Sequence, residues 1–290
     1  MRTAPSVITG LAQILPRYDL LLCDVWGVVH NGISAFPEAN DALTHARNSG
    51  VTVIMISNAP RPGPVVAKQI GNYGVPASAF DAVVASGDVT RDELMARPGA
   101  KVFHLGPKRD LPNYEGLDIR LADFEEADLV VCTGPFNDET DTPDDYRDVM
   151  GRMKARGLLL ICANPDIVVE RGDRLVWCAG ALAAIYDELG GKTIYAGKPH
   201  APIYQMSLNR AAALRGKEID RARVLVIGDG LRTDIKGAVD QGFDSLFIAR
   251  GIHAADLEIG PDGLPNAARL TKIFAEVKAF PTGVMRELVW

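Results

Sequence analysis

Short apolar runs alternate with amphipathic stretches along most of the chain, and this alternation limits the fold more than any other feature. The runs predicted as strands are 19–23, 51–56, 83–85, 101–105, 129–133, 158–162, 192–196, 223–227 and 244–248. The stretches predicted as helices are 37–49, 64–73, 142–156, 180–189, 202–215 and 233–241. Several runs are apolar throughout, which is typical of strands covered on both faces of a parallel sheet. The pattern therefore predicts an α/β fold with right-handed crossovers between parallel strands.

Length and charge narrow the classes of protein that this chain can represent. With 290 residues, 47% of them hydrophobic and 23% charged, it can form one large or two medium domains. The formal net charge of −6 argues against a nucleic-acid partner. The sequence lacks the run of ~20 apolar residues that a membrane span needs. Residues 1–19 have apolar side chains at helical spacing without a cleavage pattern, so we predict a short amphipathic helix and a cytoplasmic protein.

The cysteines carry no pattern of metal binding. They are Cys23, Cys132, Cys162 and Cys178. None forms a C-x-x-C pair, and each lies in or beside an apolar segment. This placement favours buried free thiols in a reducing compartment, with a catalytic or metal-binding cysteine as the less favoured alternative.

Residues with reactive or metal-binding side chains stand at the ends of several predicted strands or just before a helix. In chain order they are Asp24, Ser57, Asn58, Lys198, Asp229 and Asp234. Each of them alone is more often a cap or a turn residue. Because ligands of parallel sheets bind beyond the carboxyl ends of the strands, the joint order predicts that these residues converge on one sheet edge.

A group of aspartates beside a lysine suggests phosphate chemistry supported by a metal ion. Carboxylate oxygens suit Mg²⁺, and Asp24 and Asp229 could supply two of its ligands. A phosphate could then contact the Lys198 ammonium, the Ser57 hydroxyl and backbone N–H groups in the turn at Gly27. Asp24 would attack the phosphorus in line, forming an aspartyl-phosphate that water later cleaves.

Four short motifs carry a resemblance to a known family. As they stand here, they are Asp24-Val25-Trp26-Gly27, Ser57 in MISNAP, Lys198 in GKP, and Gly228-Asp229 followed by Thr233-Asp234. In this order, over residues 17 to 255, the set resembles the haloacid dehalogenase (HAD) superfamily, in its NagD-like branch of phosphatases (subfamily IIA). That branch also carries an N-x-D-like segment shortly before a Gly-rich helix start. Residues 163–166 resemble the segment, and residues 179–182 resemble the helix start.

The resemblance implies a two-domain architecture. It predicts a Rossmann-like parallel-sheet core formed by residues 1–86 and 180–290, with a large α/β cap domain, 87–179, inserted between the second and third motifs. Such caps exclude water and select the leaving group. Candidate cap residues facing the substrate are Thr133, Gly134, Asn164 and Asp166. The resemblance also admits a homodimer formed through the cap.

The resemblance assigns a role to each motif residue. Asp24 and Lys198 would be catalytic. The groups expected to bind Mg²⁺ are Asp24, the backbone carbonyl of Trp26, Asp229 and Asp234. The groups expected to bind the phosphate are Gly27, Ser57, Asn58 and Lys198.

Trp26 departs from the family pattern. Phosphatases of the family carry a second aspartate at this position, which protonates the leaving oxygen and then activates water. An indole cannot transfer that proton, and such help is worth roughly 10²–10⁴-fold in rate. Three interpretations stay open: His30 substitutes as the acid, the substrate has a good leaving group, or the protein binds a phosphorylated ligand and hydrolyses it slowly.

The sequence therefore supports one function over two others. The favoured hypothesis is a Mg²⁺-dependent phosphatase acting on a small phosphorylated metabolite such as a sugar phosphate, with no nucleic-acid or membrane partner. The alternative is a phospho-ligand binding or regulatory protein with vestigial hydrolysis. A dinucleotide-binding oxidoreductase is disfavoured, because Asp229 interrupts the Gly228–Gly230 turn and Thr233 replaces the third glycine.

Residues 138–148 and 256–290 are interpreted as structural segments without an assigned functional role. The acidic run 138–148 is explained by Thr142 as an N-cap, Pro143 at the first helical position and acids at the positive end of the helix dipole. Residues 256–290 are predicted as a C-terminal extension with a helix near 266–279, and no function is assigned to them.

Overall fold

The computed structural model describes residues 5–171, 174–250 and 266–290. Its strands are β1 (Ser6–Val7), β2 (Leu20–Asp24), β3 (Thr52–Ser57), β4 (Ala82–Ala85), β5 (Ala100–Leu105), β6 (Ile119–Leu121), β7 (Leu129–Cys132), β8 (Leu159–Cys162), β9 (Val168–Arg171), β10 (Arg174–Trp177), β11 (Lys192–Tyr195), β12 (Val224–Gly228), β13 (Asp244–Ile248) and β14 (Gly283–Met285). Its helices are α1 (Pro37–Asn48), α2 (Gly63–Asn72), α3 (Ser86–Met95), α4 (Arg147–Ala155), α5 (Ala179–Glu188), α6 (Ala201–Arg215), α7 (Lys236–Gln241) and α8 (Ala267–Glu276). The described part of the chain forms two compact units.

The first unit is built on a seven-stranded sheet. It comprises Met1–Ser57, Ala67–Val84 and Tyr204–Trp290, as far as these segments are described. The strand order is β1-β14-β13-β12-β2-β3-β4, and the pairs from β1 to β3 are parallel. Every residue of β2 and β12 is buried, as expected for central strands covered on both faces. The predicted Rossmann-like parallel sheet is confirmed.

The second unit has a smaller parallel sheet of its own. It comprises Asn58–Val66 and Ala85–Ile203. Five strands pair in parallel in the order β11-β8-β7-β5-β6, and β9 and β10 form a separate antiparallel hairpin. Apolar side chains cover both faces of the sheet; one cluster contains Met150 and Leu182, and the other contains Leu94 and Tyr114. Thr142 and Asp145 form the N-terminal capping contact expected before α4, with the Thr142 N–H donating to the carboxylate at 2.8 Å.

The second unit ends later than the cap expected at 87–179. The structure includes α5 and β11 in it, because β11 pairs with β8 and α5 packs on the same core cluster. It also includes residues 58–66, which precede that range. Sequence periodicity finds strands but not their partners, which explains why β11 was expected in the core domain.

The predicted strands all exist within one residue of their expected ends. The sequence pattern did not predict α3, the antiparallel pair β9–β10 or the short strands β1, β6 and β14. The predicted N-terminal helix is wrong. Within residues 5–18 the chain instead forms β1 and two short 3₁₀ turns, Leu11–Gln13 and Leu15–Arg17. Pro16 lies inside this segment, and Ser6 pairs with Gly283.

The cysteines and the C-terminal helix match their predictions. All four cysteines are buried thiols outside disulfide bonds, as predicted. The predicted C-terminal helix corresponds to α8, while residues 256–265 lie outside the described part of the chain. Among the described helices, none is both long enough and apolar enough to cross a membrane.

Candidate active site

Asp24 is the last residue of β2, in the middle of the seven-stranded sheet. The strand lies between β12 and β3, and Asp24 pairs in register with Ile56. Leu20 to Cys23 are completely buried, so the apolar run carries the carboxylate to the edge of the sheet, where 8% of the residue is exposed. Ser57 follows Ile56 as the last residue of the neighbouring strand. The predicted convergence at the carboxyl edge therefore holds for this pair of strands.

Two further aspartates follow β12 on the other side of Asp24. Asp229 comes directly after the strand, and Asp234 lies in a π-helical turn, Leu231–Ile235. In this wide turn the N–H groups of Asp234 and Ile235 both donate to the Gly230 carbonyl. The Asp234 carboxylate accepts the Gly230 N–H at 3.0 Å, so the turn returns its side chain towards the strand end. Such π-helical turns occur frequently at functional sites.

The three aspartates form one compact acidic cluster. One carboxylate oxygen from each of Asp24, Asp229 and Asp234 lies within 4.8 Å of the others. The residues are only 8%, 3% and 1% exposed. Buried carboxylates this close repel one another unless a positive charge lies among them. Their chemistry fits a hard divalent cation that prefers oxygen ligands, such as Mg²⁺.

The turn after β2 approaches this cluster closely enough to require glycine. Gly27 has φ +81°, and a Cβ atom built on it would lie 2.2 Å from Oδ2 of Asp229. The Gly27 N–H donates to the carbonyl of His30 at 2.9 Å, which closes the turn. The backbone at Gly27 is therefore in contact with a predicted metal ligand.

Gly27→Ala is expected to damage the acidic cluster, and Gly50→Ala supplies the matched control. Gly50 has φ +86° with no atom within 4 Å of a built Cβ, so alanine there costs only the backbone term of about 1–2 kcal/mol. Alanine at position 27 has the same backbone cost, and its Cβ atom must also displace the Asp229 carboxylate. We expect added Mg²⁺ to raise the unfolding temperature of wild type and of Gly50→Ala, and we expect Gly27→Ala to lose this response. Equal Mg²⁺ stabilisation of both variants would contradict this account.

The side chains of Trp26 and His30 pack against each other in the same turn. Their ring centroids are 5.2 Å apart at an interplanar angle of 74°, and the His30 ring is 5.0 Å from that of Tyr73. The edge of the indole also lies against Gly32, where a built Cβ would be 2.3 Å from it. Trp26 is 37% exposed, so part of its ring faces solvent as a fixed apolar surface.

The surroundings of His30 favour a packing role over proton transfer. The residue is 2% exposed, and burial lowers its pKa to about 4. The Gly32 N–H donates to Nδ1 at 2.8 Å, which requires this nitrogen to be unprotonated. The ring is therefore neutral near pH 7 and is poorly suited to donate a proton to a leaving group.

Lys198 and Asn58 belong to the second unit, where they lie against each other. Lys198 follows β11 and is 3% exposed, and Asn58 is 5% exposed. The Lys198 N–H donates to Oδ1 of Asn58 at 2.7 Å. Nδ2 of Asn58 donates to the Lys198 carbonyl at 3.2 Å and to Oδ1 of Asp166 at 2.8 Å. Asn58 was predicted to bind the phosphate. Its contacts with Lys198 could not be predicted, because a backbone partner 140 residues away leaves no local pattern.

The other cap residues named from the sequence lie at strand ends of the second unit. Thr133 and Gly134 follow β7, and Asn164 follows β8. Oδ1 of Asn164 accepts the Asp166 N–H at 3.1 Å. The Thr133 hydroxyl is buried, and it has no hydrogen-bond partner among the described residues. Thus the carboxyl edge of the smaller sheet also carries polar groups.

Similarity to known proteins extends over nearly the whole chain. Residues 21–120 match the family described as haloacid dehalogenase-like hydrolase, and residues 195–272 match a second family described as HAD-hydrolase-like. Ribonucleotide monophosphatase NagD of Escherichia coli (strain K12) is 25% identical over 241 residues, which are 81% of this chain and 89% of that protein.

Two solved structures are also similar. A haloacid dehalogenase-like hydrolase from Brucella suis 1330 is 48% identical, with a TM-score of 0.85 over 98% of this chain and all of that one. A glycerol phosphate phosphatase from Mycobacterium tuberculosis, in complex with magnesium, is 26% identical. It has a TM-score of 0.69 over 94% of this chain and 76% of that one.

Proposed function

The chain is a phosphatase that belongs to the haloacid dehalogenase-like hydrolases, in the branch that includes NagD, and we propose that it hydrolyses small phosphorylated metabolites with Mg²⁺ through Asp24. The observation that carries this proposal is the buried cluster of three aspartates at the carboxyl edge of the larger sheet. The magnesium complex of the related glycerol phosphate phosphatase supports the choice of metal.

In this proposal the acidic cluster holds the metal and presents the nucleophile. One Asp24 oxygen, Asp229, Asp234 and the backbone carbonyl of Trp26 would hold Mg²⁺. When bound, the ion offsets the cluster's charge and the negative charge of the transferring phosphoryl group. The other Asp24 oxygen would attack phosphorus as the bond to the ester oxygen breaks, and the leaving group would depart as an anion that takes its proton from solvent. Water then cleaves the aspartyl-phosphate, which releases phosphate and regenerates the carboxylate.

The phosphate-binding roles rest on the sequence motifs. Lys198 would offset charge on the transferring phosphoryl group, and the Ser57 hydroxyl would donate to a phosphate oxygen. The backbone N–H groups of the turn at Gly27 would contribute further donors.

The surroundings of Trp26 bear on the choice of substrate. Because His30 is neutral and enclosed, it is a weak substitute for the missing acid. We therefore favour a substrate whose leaving group departs without a proton, or a slow turnover. If turnover is slow, the protein could act mainly by binding a phosphorylated ligand, and this is the second candidate function.

The geometry at β12 counts against a dinucleotide-binding site. A pyrophosphate in such a site accepts hydrogen bonds from the backbone of the glycine-rich turn. Here the Gly230 N–H already donates to Asp234, and Asp229 adds negative charge beside it. This arrangement favours a cation over an anion at the strand end.

Removal of metal tests the proposed function. Protein stripped with EDTA is expected to lose phosphate release from a panel of phosphorylated metabolites and to regain it with Mg²⁺. Asp229→Asn is expected to lower kcat/KM by roughly 10³-fold, since several kcal/mol of charge stabilisation would be lost. The control is Asp240→Asn, which changes an exposed aspartate of α7 that pairs with Lys236. We expect its kcat/KM to equal that of wild type. Full activity in EDTA would exclude the metal mechanism.

A further inference from the structure

The side chain of Asn58 closes a small ring of hydrogen bonds with the main chain of Lys198. Its Oδ1 accepts the Lys198 N–H at 2.7 Å, and its Nδ2 donates to the Lys198 carbonyl at 3.2 Å. The orientation of the amide is unambiguous, because a backbone N–H can only donate and a carbonyl can only accept. Both backbone groups of one buried residue are thus held by one side chain.

The amide of Asn58 has no donor left for a phosphate. A primary amide carries two N–H bonds, and Nδ2 uses them on the Lys198 carbonyl and on Oδ1 of Asp166. Phosphate oxygens need donors, so the side chain of Asn58 is unsuited to bind phosphate in this arrangement. Its side chain is committed to protein groups instead.

The groups around this ring are themselves fixed. The Asp166 N–H donates to Oδ1 of Asn164 at 3.1 Å, and the Asp166 carbonyl accepts the Gly180 N–H at 3.1 Å. A Cβ built on Gly197, the residue before Lys198, would lie 2.4 Å from Oδ1 of Asn58 and 2.1 Å from Oγ of Ser86. Only glycine allows the strand end to approach the amide so closely.

We propose that Asn58 is a positioning residue, which fixes the main chain of Lys198 by two hydrogen bonds and is itself oriented by Asp166. This inference rests on the proposed function, because it assigns to Lys198 the stabilisation of the transferring phosphoryl group. The two hydrogen bonds fix the backbone from which the Lys198 side chain extends. A displacement of about 1 Å at such a group costs on the order of 10²-fold in rate.

Kinetics of Asn58→Ala on p-nitrophenyl phosphate separate positioning from substrate binding. If Asn58 positions Lys198, kcat falls about 100-fold while KM changes less than about threefold, because the interaction lost acts mainly in the transition state. If Asn58 instead bound the substrate, KM would rise at constant kcat. That second outcome, or unchanged kinetics, overturns the proposal.

An exchange of the two polar partners gives a rescue test. Asn58→Asp places a second carboxylate beside Asp166 and removes both donors, so kcat is expected to fall at least as far as in Asn58→Ala. In the double variant with Asp166→Asn, the amide at position 166 can donate to the carboxylate at position 58. We expect kcat at least tenfold above that of Asn58→Asp alone, and no recovery would overturn the role of Asp166.

Asn113→Ala is the matched control, because it removes a different hydrogen bond to the segment that contains Asn58. Nδ2 of Asn113 donates to the carbonyl of Pro60 at 2.8 Å, and Pro60 lies two residues after Asn58 in the same segment. Its kcat is expected to stay within about twofold of wild type, and a loss equal to that of Asn58→Ala would overturn specific positioning.

Crystal structures of wild type and Asn58→Ala provide a readout without turnover. The Lys198 main chain is expected to shift by about 1 Å in the variant. An unchanged Lys198 would overturn the proposal even if the wild type proved to be an active phosphatase. Conversely, a wild type that releases no phosphate defeats the proposed function, while the shift still tests the hydrogen-bonded ring.

Discussion

Asp24→Asn is expected to lower phosphate release by roughly 10⁴-fold or more. An amide has the shape of the carboxylate but is a far weaker nucleophile, so the aspartyl-phosphate cannot form. The same change removes one negative charge from the buried acidic cluster. Without metal, the variant should therefore unfold at a higher temperature than wild type, since like-charge repulsion among the remaining carboxylates is smaller.

The two readouts are measured on the same preparations. Phosphate release is followed with Mg²⁺, and thermal unfolding is followed in EDTA. Asp41→Asn on α1 is the control, because this aspartate is exposed and is expected to affect neither quantity. Acid-quenched protein should carry phosphate on residue 24 in wild type only. Hydrolysis that persists in Asp24→Asn would mean that water attacks the substrate directly.

Trp26→Asp is expected to raise kcat for alkyl phosphates by roughly 10²–10⁴-fold, the range associated with general acid–base help. The indole supplies no proton, and His30 is neutral and enclosed. Alkyl leaving groups are therefore expected to depart slowly from the wild-type protein, whereas p-nitrophenolate needs no proton to depart. The gain should be large for glycerol phosphate and small for p-nitrophenyl phosphate.

Trp26→Phe is the matched control, since it keeps an aromatic ring and adds no acid. It is expected to show the same dependence on the leaving group as wild type. Both variants require a check of folding, because the indole packs on His30 and Gly32. An equal gain on alkyl and aryl substrates, or no gain in a folded Trp26→Asp that still responds to Mg²⁺, would show that proton donation is not what wild type lacks.

The acidic cluster could be predicted from the sequence, because the ends of two adjacent strands determine where its side chains lie. Asp24 and Asp229 each follow an apolar run, and the two runs are adjacent parallel strands, so their side chains meet at one edge. Asp234 comes next in the chain and needs only one turn to return to the strand end. Local sequence and sheet topology together determine this part of the candidate site.

The surroundings of Lys198 could not be predicted in the same way. Its partner Asn58 lies 140 residues earlier in the chain, and the pairing depends on how the second unit assembles. The end of that unit was also placed too early, because the partner of a strand is not encoded in its periodicity. His30 illustrates a third limit, since only the structure shows that burial and the Gly32 N–H keep its ring neutral.

The pairing of Leu20 with Val224 has a consequence for synthesis on the ribosome. The strand that carries Asp24 emerges early, but its neighbour β12 emerges only after the whole of the second unit. The strands of the smaller sheet follow one another from residue 100 to residue 195, so they can pair while translation continues. The Asp24 carboxylate therefore meets Asp229 and Asp234 only after most of the chain has been synthesised, and long-range closure of this kind is slow.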